Sequence, residues 1–360
     1  TPTNKEIGNL PVKLLRALDR VKSTEMYDID ITVEGGLGTI WTSVDNNNTK
    51  FYDDEVLTVG TRKEFDKLRD SKTISSSPVL DSYRTIFNIF NDFASLERKD
   101  HLFIADALRH ILVRGKDSKT ISENNNFALD VLYPLRHQFE RANSSYAAVF
   151  PTWAKVRDFT SDENVWVPFS GKVARTAAES DSLRAVWESF AGLNRGIVQD
   201  VLDVAYNPND KQQGQMYKAN LNPVPIFAKE GVVIWGQKTL QRKPSAFQNI
   251  NVRRLFLYVE KASARVSRYF VHEPNTLYTR TQAVNILNSI LERVKQQDGV
   301  YDFRVICGKA NNPASVIDNN ELIIDIYIAP TRTIEFILLN FQATRTSFNF
   351  SELEQDASII

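Results

Sequence analysis

The hydrophobic pattern of the chain is densest near its end. In ELIIDIYIAPTRTIEFILLNFQAT, residues 321–344, two alternating runs follow one another. Leu322, Ile324, Ile326 and Ile328 fall on one side of a pleat, as do Ile334, Phe336 and Leu338 in the second run, whose other side carries Ile337, Leu339 and Phe341. Such alternation predicts strands, and a strand apolar on both faces needs cover on both. Its hydrogen-bonding edge can pair with its own sheet or with another molecule's. Glu335, between Ile334 and Phe336, marks a solvent-facing position.

Upstream, a helical period in PVKLLRALDRV places Val12, Leu15, Leu18 and Val21 on one face. A strand in YDIDITV, a short helix near residues 61–69 and a loop in SKTISSSP follow. From Val79 to about Val204 the pattern turns α/β: a helix carrying Ile86, Phe87, Phe90 and Phe93, a second around HLFIADALRHILV, a third around FALDVLYPLRHQF, then the strand-like YAAVFPTWAKV. YNPNDKQQGQ reads as a polar linker and NPVP as a helix breaker.

Beyond them come a strand (GVVIWG), two helices (NVRRLFLYVEKASARVSRYF and RTQAVNILNSILERVKQQ) and at least three strands. In the first helix Val252, Leu255, Phe256 and Val259 form the core stripe, leaving Arg253, Arg254, Lys261, Arg265 and Arg268 as a polar flank. In the second, Ala283, Ile286, Leu287, Ile290 and Val294 face inward, and Gly299 stands where a helix-ending glycine belongs. The predicted fold class is an α/β core domain plus an α+β C-terminal domain with a small, mostly antiparallel sheet flanked by helices. The expected divisions are residues 1–78, holding the preceding region and the start of the core, 79–220 for the core and 221–360 for the C-terminal domain.

Composition changes this picture little. The 360 residues are 42% hydrophobic and 24% charged, which suits a globular chain with a sizeable core. Lys plus Arg and Asp plus Glu both total 44, so no net field attracts nucleic acid or an anionic membrane. No run approaches a membrane span. Cys307, the single cysteine, excludes an internal disulfide and reads as a small buried hydrophobe. The four histidines are scattered without metal-ligand spacing, so neither metal nor cofactor is expected. GGLG at 35–38 follows a strand but lacks a phosphate-binding spacing, and a tight turn explains it.

Three segments carry a resemblance: INVRRLF (250–256), YDFRVICGKANNPASVIDNNEL (301–322) and IYIAPTRTIEFILLNFQATRT (326–346) resemble the C-terminal region of contractile tail sheath proteins of myovirus-type phages. VWVPFSGKVAR (165–175), GLNRG (192–196) and GVVIWGQKTL (231–240) continue it in the same order, so it spans Tyr146 to Glu354; before Val79 it rests on ITVEGGLG. The chain starts well inside the family's usual length, and the large surface insertion domains of many members are not identifiable. A fragment lacking the N-terminal region, monomeric in dilute solution, is therefore expected.

The resemblance implies a structural protein, not an enzyme, that stacks as six-membered rings around a tail tube and contracts to drive the tube through the host envelope. Terminal arms would add strands to neighbouring subunits' sheets. The implied partners are neighbouring sheath subunits, the tail tube protein, and the baseplate and tail terminator proteins, with no nucleic acid and no membrane insertion. The implied location is the virion tail sheath, assembled in the host cytoplasm. On this reading Arg253, Arg254, Arg332, Glu335, Ile337, Leu339 and Phe341 are subunit-interface candidates, and Arg293 and Lys295 face the tube. A sheath from a bacterial contractile injection system or a tailocin is the alternative, and an α/β enzyme using GGLG as its ligand loop is a weaker one.

Overall fold

The computed structural model describes residues 10–45, 78–112 and 127–333. Helix α1 (Leu10–Arg20) rests on the core through Leu10, Leu14 and Leu18, while Val12 and Leu15 are 49% and 50% exposed. The inward ridge is a single i, i+4 row, narrower than the expected face. Residues 21–30 run as a turn-rich strap, so the strand in YDIDITV shortens to β1 (Ile31–Val33). Gly35 and Gly36, at φ +62° and +76°, turn the chain into α2 (Leu37–Asp45).

Helix α3 (Pro78–Asp92) buries Ile86, Phe87 and Phe90 as expected, and a π-helical turn, Phe93–Arg98, extends it. HLFIADALRHILV, by contrast, is not a helix. Its Leu102–Ala105 is β2, followed by the single turn α4 (Arg109–Leu112). β2 is the middle strand of a parallel sheet, with Ile31 opposite Leu102 on one side and Phe103 opposite Ala147 of β3 (Ala147–Val149) on the other. A strand buried on both faces is uniformly apolar, and no period separates such a run from a buried helix.

A second π-helical turn, Ala128–Leu132, leads into α5 (Tyr133–Gln138). YAAVFPTWAKV divides at Pro151 into β3 and β4 (Trp153–Asp158), and β4 pairs antiparallel with β5 (Glu163–Pro168) and β6 (Asp203–Val204). Between β5 and β6, α6 (Ser170–Leu183) packs on β1 and β2. The expected polar linker contains α7 (Asp210–Lys218). A capping box starts it: Asn209 Oδ1 accepts from Gln212 N and Gln212 Oε1 accepts from Asn209 N.

A short hairpin of β7 (Ile226–Phe227) and β8 (Gly231–Val232) precedes α8 (Ile250–Ser267) and α9 (Leu277–Gln296). β9 (Val300–Ile306), α10 (Ala314–Asp318) and β10 (Asp325–Pro330) complete the described chain. Residues 221–250 contribute Leu221, Val224, Val232, Ile234, Leu240 and Ile250 to the apolar clusters on either side of the parallel sheet. In α9 the inward face is Ala283, Leu287, Leu291 and Val294; Ile286, expected inside, is 44% exposed because the stripe drifts toward Leu291.

Candidate assembly surface

β9 and β10 form a two-stranded antiparallel sheet, from Ile306 opposite Asp325 to Phe303 opposite Ile328, with a register shift between Ala329 and Pro330. One face sets Phe303, Val305, Ile326 and Ile328 on a cluster of Trp187, Leu255, Val259, Leu291, Val294 and Val300. On the other, exposed Arg304 and Tyr327 are cross-strand neighbours. Gly299 joins α9 to β9 where a Cβ would lie 2.6 Å from Val294 and 2.7 Å from Trp187 Nε1, so only glycine allows this approach. Among the described residues neither outer edge of the sheet is paired. Its unpaired N–H and C=O groups can extend the sheet by main-chain hydrogen bonds.

Arg332, exposed, follows β10 directly, and Thr331 N donates to Gly299 O at 3.1 Å. Glu335, Ile337, Leu339 and Phe341 lie outside the described residues. Arg293 and Lys295 are exposed in the last turn of α9, where cations complement the helix dipole. Lys295 Nζ also donates to Asp302 Oδ1 at 3.0 Å, and this hydrogen bond lowers the Asp302 carboxyl.

Arg253 and Arg254 correct the expected polar flank. Arg253 is 7% exposed, with its guanidinium 4.2 Å and 4.1 Å from the ring centroids of Tyr146 and Phe247, and it donates to Ser145 Oγ. Burial pushes its pKa down. Arg254 is 2% exposed, pairs with Asp181 of α6 and lies 5.6 Å from the Phe190 ring centroid. Both fasten α8 to the core instead of facing a neighbour, because the first half of the helix is enclosed on all sides. Helical periodicity misses this, since it presumes a solvent side.

The GGLG turn ends at a sealed polar cluster that sequence reasoning missed. Glu34 and Asp106, each 1% exposed, follow β1 and β2. Glu34 Oε2 accepts from Asp106 N at 2.9 Å and Tyr83 Oη at 3.1 Å, and Oε1 accepts from Gly38 N at 3.0 Å. Asp106 accepts from Ser170 N at 2.9 Å, Ser170 Oγ at 2.6 Å and Gly36 N at 3.1 Å. Burial and the charge of Asp106 push Glu34 up to about 8, while burial pushes Asp106 up to about 6 against these donors. Paired carboxylates beside a serine could serve acid–base chemistry only where a substrate reaches them, and these are closed to solvent. Their role is to clip α2, α3, α6 and the parallel sheet together.

Residues 242–344 match the family model of the phage tail sheath C-terminal domain. The tail sheath protein of Vibrio phage KVP40 is 38% identical over 211 residues, covering 59% of this chain and 31% of that protein. For Enterobacteria phage T4 the values are 37%, 59% and 32%, and for Salmonella phage ViI 30% over 266 residues, 74% and 41%. The chain is thus similar to tail sheath proteins, and its residues 242–344 match their C-terminal domain. The chain spans 31–41% of the length of these relatives. Its fold is shared with the helical sheath of the anti-feeding prophage in its contracted state, at a TM-score of 0.56 and 24% identity over 73% of this chain and 67% of that one. The contracted sheath of an extracellular contractile injection system gives 0.55 and 24% over 68% and 64%.

Proposed function

We propose that this chain is the core and C-terminal part of a sheath subunit that polymerises as stacked six-membered rings around a tail tube and contracts to drive the tube through the host envelope. The observation that carries the reading is the open-edged β9–β10 sheet seated on the Trp187 cluster. Its apolar face fixes the sheet to its own subunit, while its edges leave main-chain groups for strands of neighbouring subunits, a link insensitive to side-chain identity. Heterologous contacts of this kind need not close and can build a helical lattice.

Contraction in this reading needs no cofactor and no catalysis, because repacking of interfaces releases the free energy of a metastable lattice. The subunit would contact its own neighbours, the tube protein through Arg293 and Lys295 of α9, and the baseplate and tail terminator proteins at the ends of the sheath. Assembly would take place in the host cytoplasm. One of the solved sheaths that share the fold belongs to an extracellular contractile injection system, so a sheath of such a system or of a tailocin is the second reading.

Electron microscopy of the full-length subunit tests the strand link. Glu335→Ala is expected to polymerise nearly normally, whereas Glu335→Pro, which removes a main-chain donor, abolishes polymerisation with unchanged circular dichroism. A folded proline variant that polymerises would move the link elsewhere.

A further inference from the structure

The outer half of α8 meets the strap mainly through charged side chains, whereas its inner half also buries an apolar row. Leu255, Leu257 and Val259 are buried, but beyond Val259 the helix meets residues 21–30, which cross it as a strap. Arg98, from the π-helical turn after α3, braces this strap. Its guanidinium donates to the carbonyls of Val21, Ser23 (3.5 Å) and Tyr27 (2.7 Å), and to Asp100 at 2.6 Å and 2.9 Å. The braced backbone presents Glu25, Asp28 and Asp30 to the helix.

From the helix, Lys261 Nζ donates to Asp28 Oδ1 at 2.8 Å, Ile29 O at 2.7 Å and Asp30 Oδ1 at 2.6 Å. Arg265 pairs with Asp28 at 3.0 Å, and Arg268, just past the helix, with Glu25 at 3.5 Å. The hydrogen bond from Lys261 holds the Asp28 carboxyl below its ordinary value. Apolar cover over these contacts is thin: Val21 and Ile29 are half-buried, while Met26 and Tyr27 are 76% and 42% exposed. Cavities of about 230 Å³ and 510 Å³, lined by strap and helix residues, open along the contact.

We propose that residues 21–30 form a strap that ionic strength releases, and that this strap sets the position of the outer half of the α8–α9 hairpin against the core. The acidic partners are solvent-exposed, Asp28 at 61% and Asp30 at 69%, and their attraction to Lys261 and Arg265 weakens as salt shortens the screening length, whereas burial of Leu255, Leu257 and Val259 does not. Releasing the strap therefore loosens the outer half of α8 and leaves the inner half docked. Because α9 leads through Gly299 into β9, the strap also bears on where the C-terminal sheet stands relative to the core.

Hydrogen–deuterium exchange on the whole chain reads this directly. Raising NaCl from about 0.05 M to about 0.5 M is expected to speed exchange at residues 21–30 and 260–268 about threefold or more, with residues 250–259 unchanged. Lys261→Met, which keeps the aliphatic stem, should show the fast exchange already at low salt and little further response, with unchanged helical circular dichroism. Equal exchange at 260–268 at both salt concentrations, opening of the whole helix together, or a Lys261→Met variant with the full salt response would each overturn the proposal.

Discussion

Arg254 of α8 donates to Asp181 of α6, an ion pair with side chains 3% and 23% exposed that fastens the helix bearing the C-terminal unit to the core. Burial nevertheless raises the Asp181 carboxyl despite its partner, so desolvation outweighs the attraction for this group. Removing one member leaves a charge without compensation, and removing both does not. Asp181→Ala is expected to lower unfolding free energy by about 3 kcal/mol, while Asp181→Leu combined with Arg254→Met recovers most of the loss. Urea unfolding of the single and double variants measures it, and an additive double variant would refute the pair's coupling.

The sealed Glu34–Asp106 cluster predicts an unusual pH dependence. Glu34 is raised from 4.5 to about 8 in the folded chain, so its contribution to stability is fully present below pH 4.5 and is lost as the pH rises through 8. Asp106, raised from 3.8 to about 6, acts in the same direction at lower pH. Between pH 6 and 7.5 stability should therefore fall by up to about 1.4 kcal/mol per unit from Glu34. Glu34→Gln should flatten this slope while lowering stability at pH 5, since its amide sets an N–H against the backbone N–H of Gly38 or Asp106. Thermal melts from pH 5 to 8 decide it, and an unchanged slope in the variant would exclude Glu34 as the titrating group.

Two helical glycines should respond in opposite directions. A Cβ at Gly38 of α2 would fall 2.2 Å from Glu34 Oε1 and 2.6 Å from the Tyr83 ring, so Gly38→Ala should cost about 2 kcal/mol or more in spite of its better helix propensity. At Gly214 of α7 nothing lies within 4 Å of the added carbon, and Gly214→Ala should stabilise by about 0.5–1 kcal/mol. Chemical denaturation of both variants is the check; a neutral Gly38→Ala would mean that the cluster yields.

For the tube contact, Arg293 is the cleaner probe, because Lys295 is already engaged with Asp302. Arg293→Glu in the full-length subunit should leave the melting temperature within a few degrees and reduce co-sedimentation with tail tubes. Undiminished co-sedimentation would remove α9 from the tube contact.

Much of the C-terminal unit was legible in the sequence. The helices at 250–267 and 277–296 and the glycine after them follow from period and capping, as does the strand over Asp325–Pro330. What stayed hidden depends on enclosure. β2 looked helical because both its faces are buried, and Arg253 and Arg254 looked like a flank because a helix packed on all sides has no polar face. α7 was hidden by polar composition, although Asn209 and Gln212 carried its signal. The Glu34–Asp106 cluster and the Arg98 brace join residues about 70 positions apart, a distance over which local pattern carries no information.

A cryo-electron microscopy map of the assembled full-length sheath shows whether the β9–β10 sheet links neighbouring subunits. The expected result is a strand from a neighbouring subunit continuing the β9–β10 sheet along one outer edge, with main-chain hydrogen bonds in register. A map in which both edges face solvent or are covered only by side chains would contradict it.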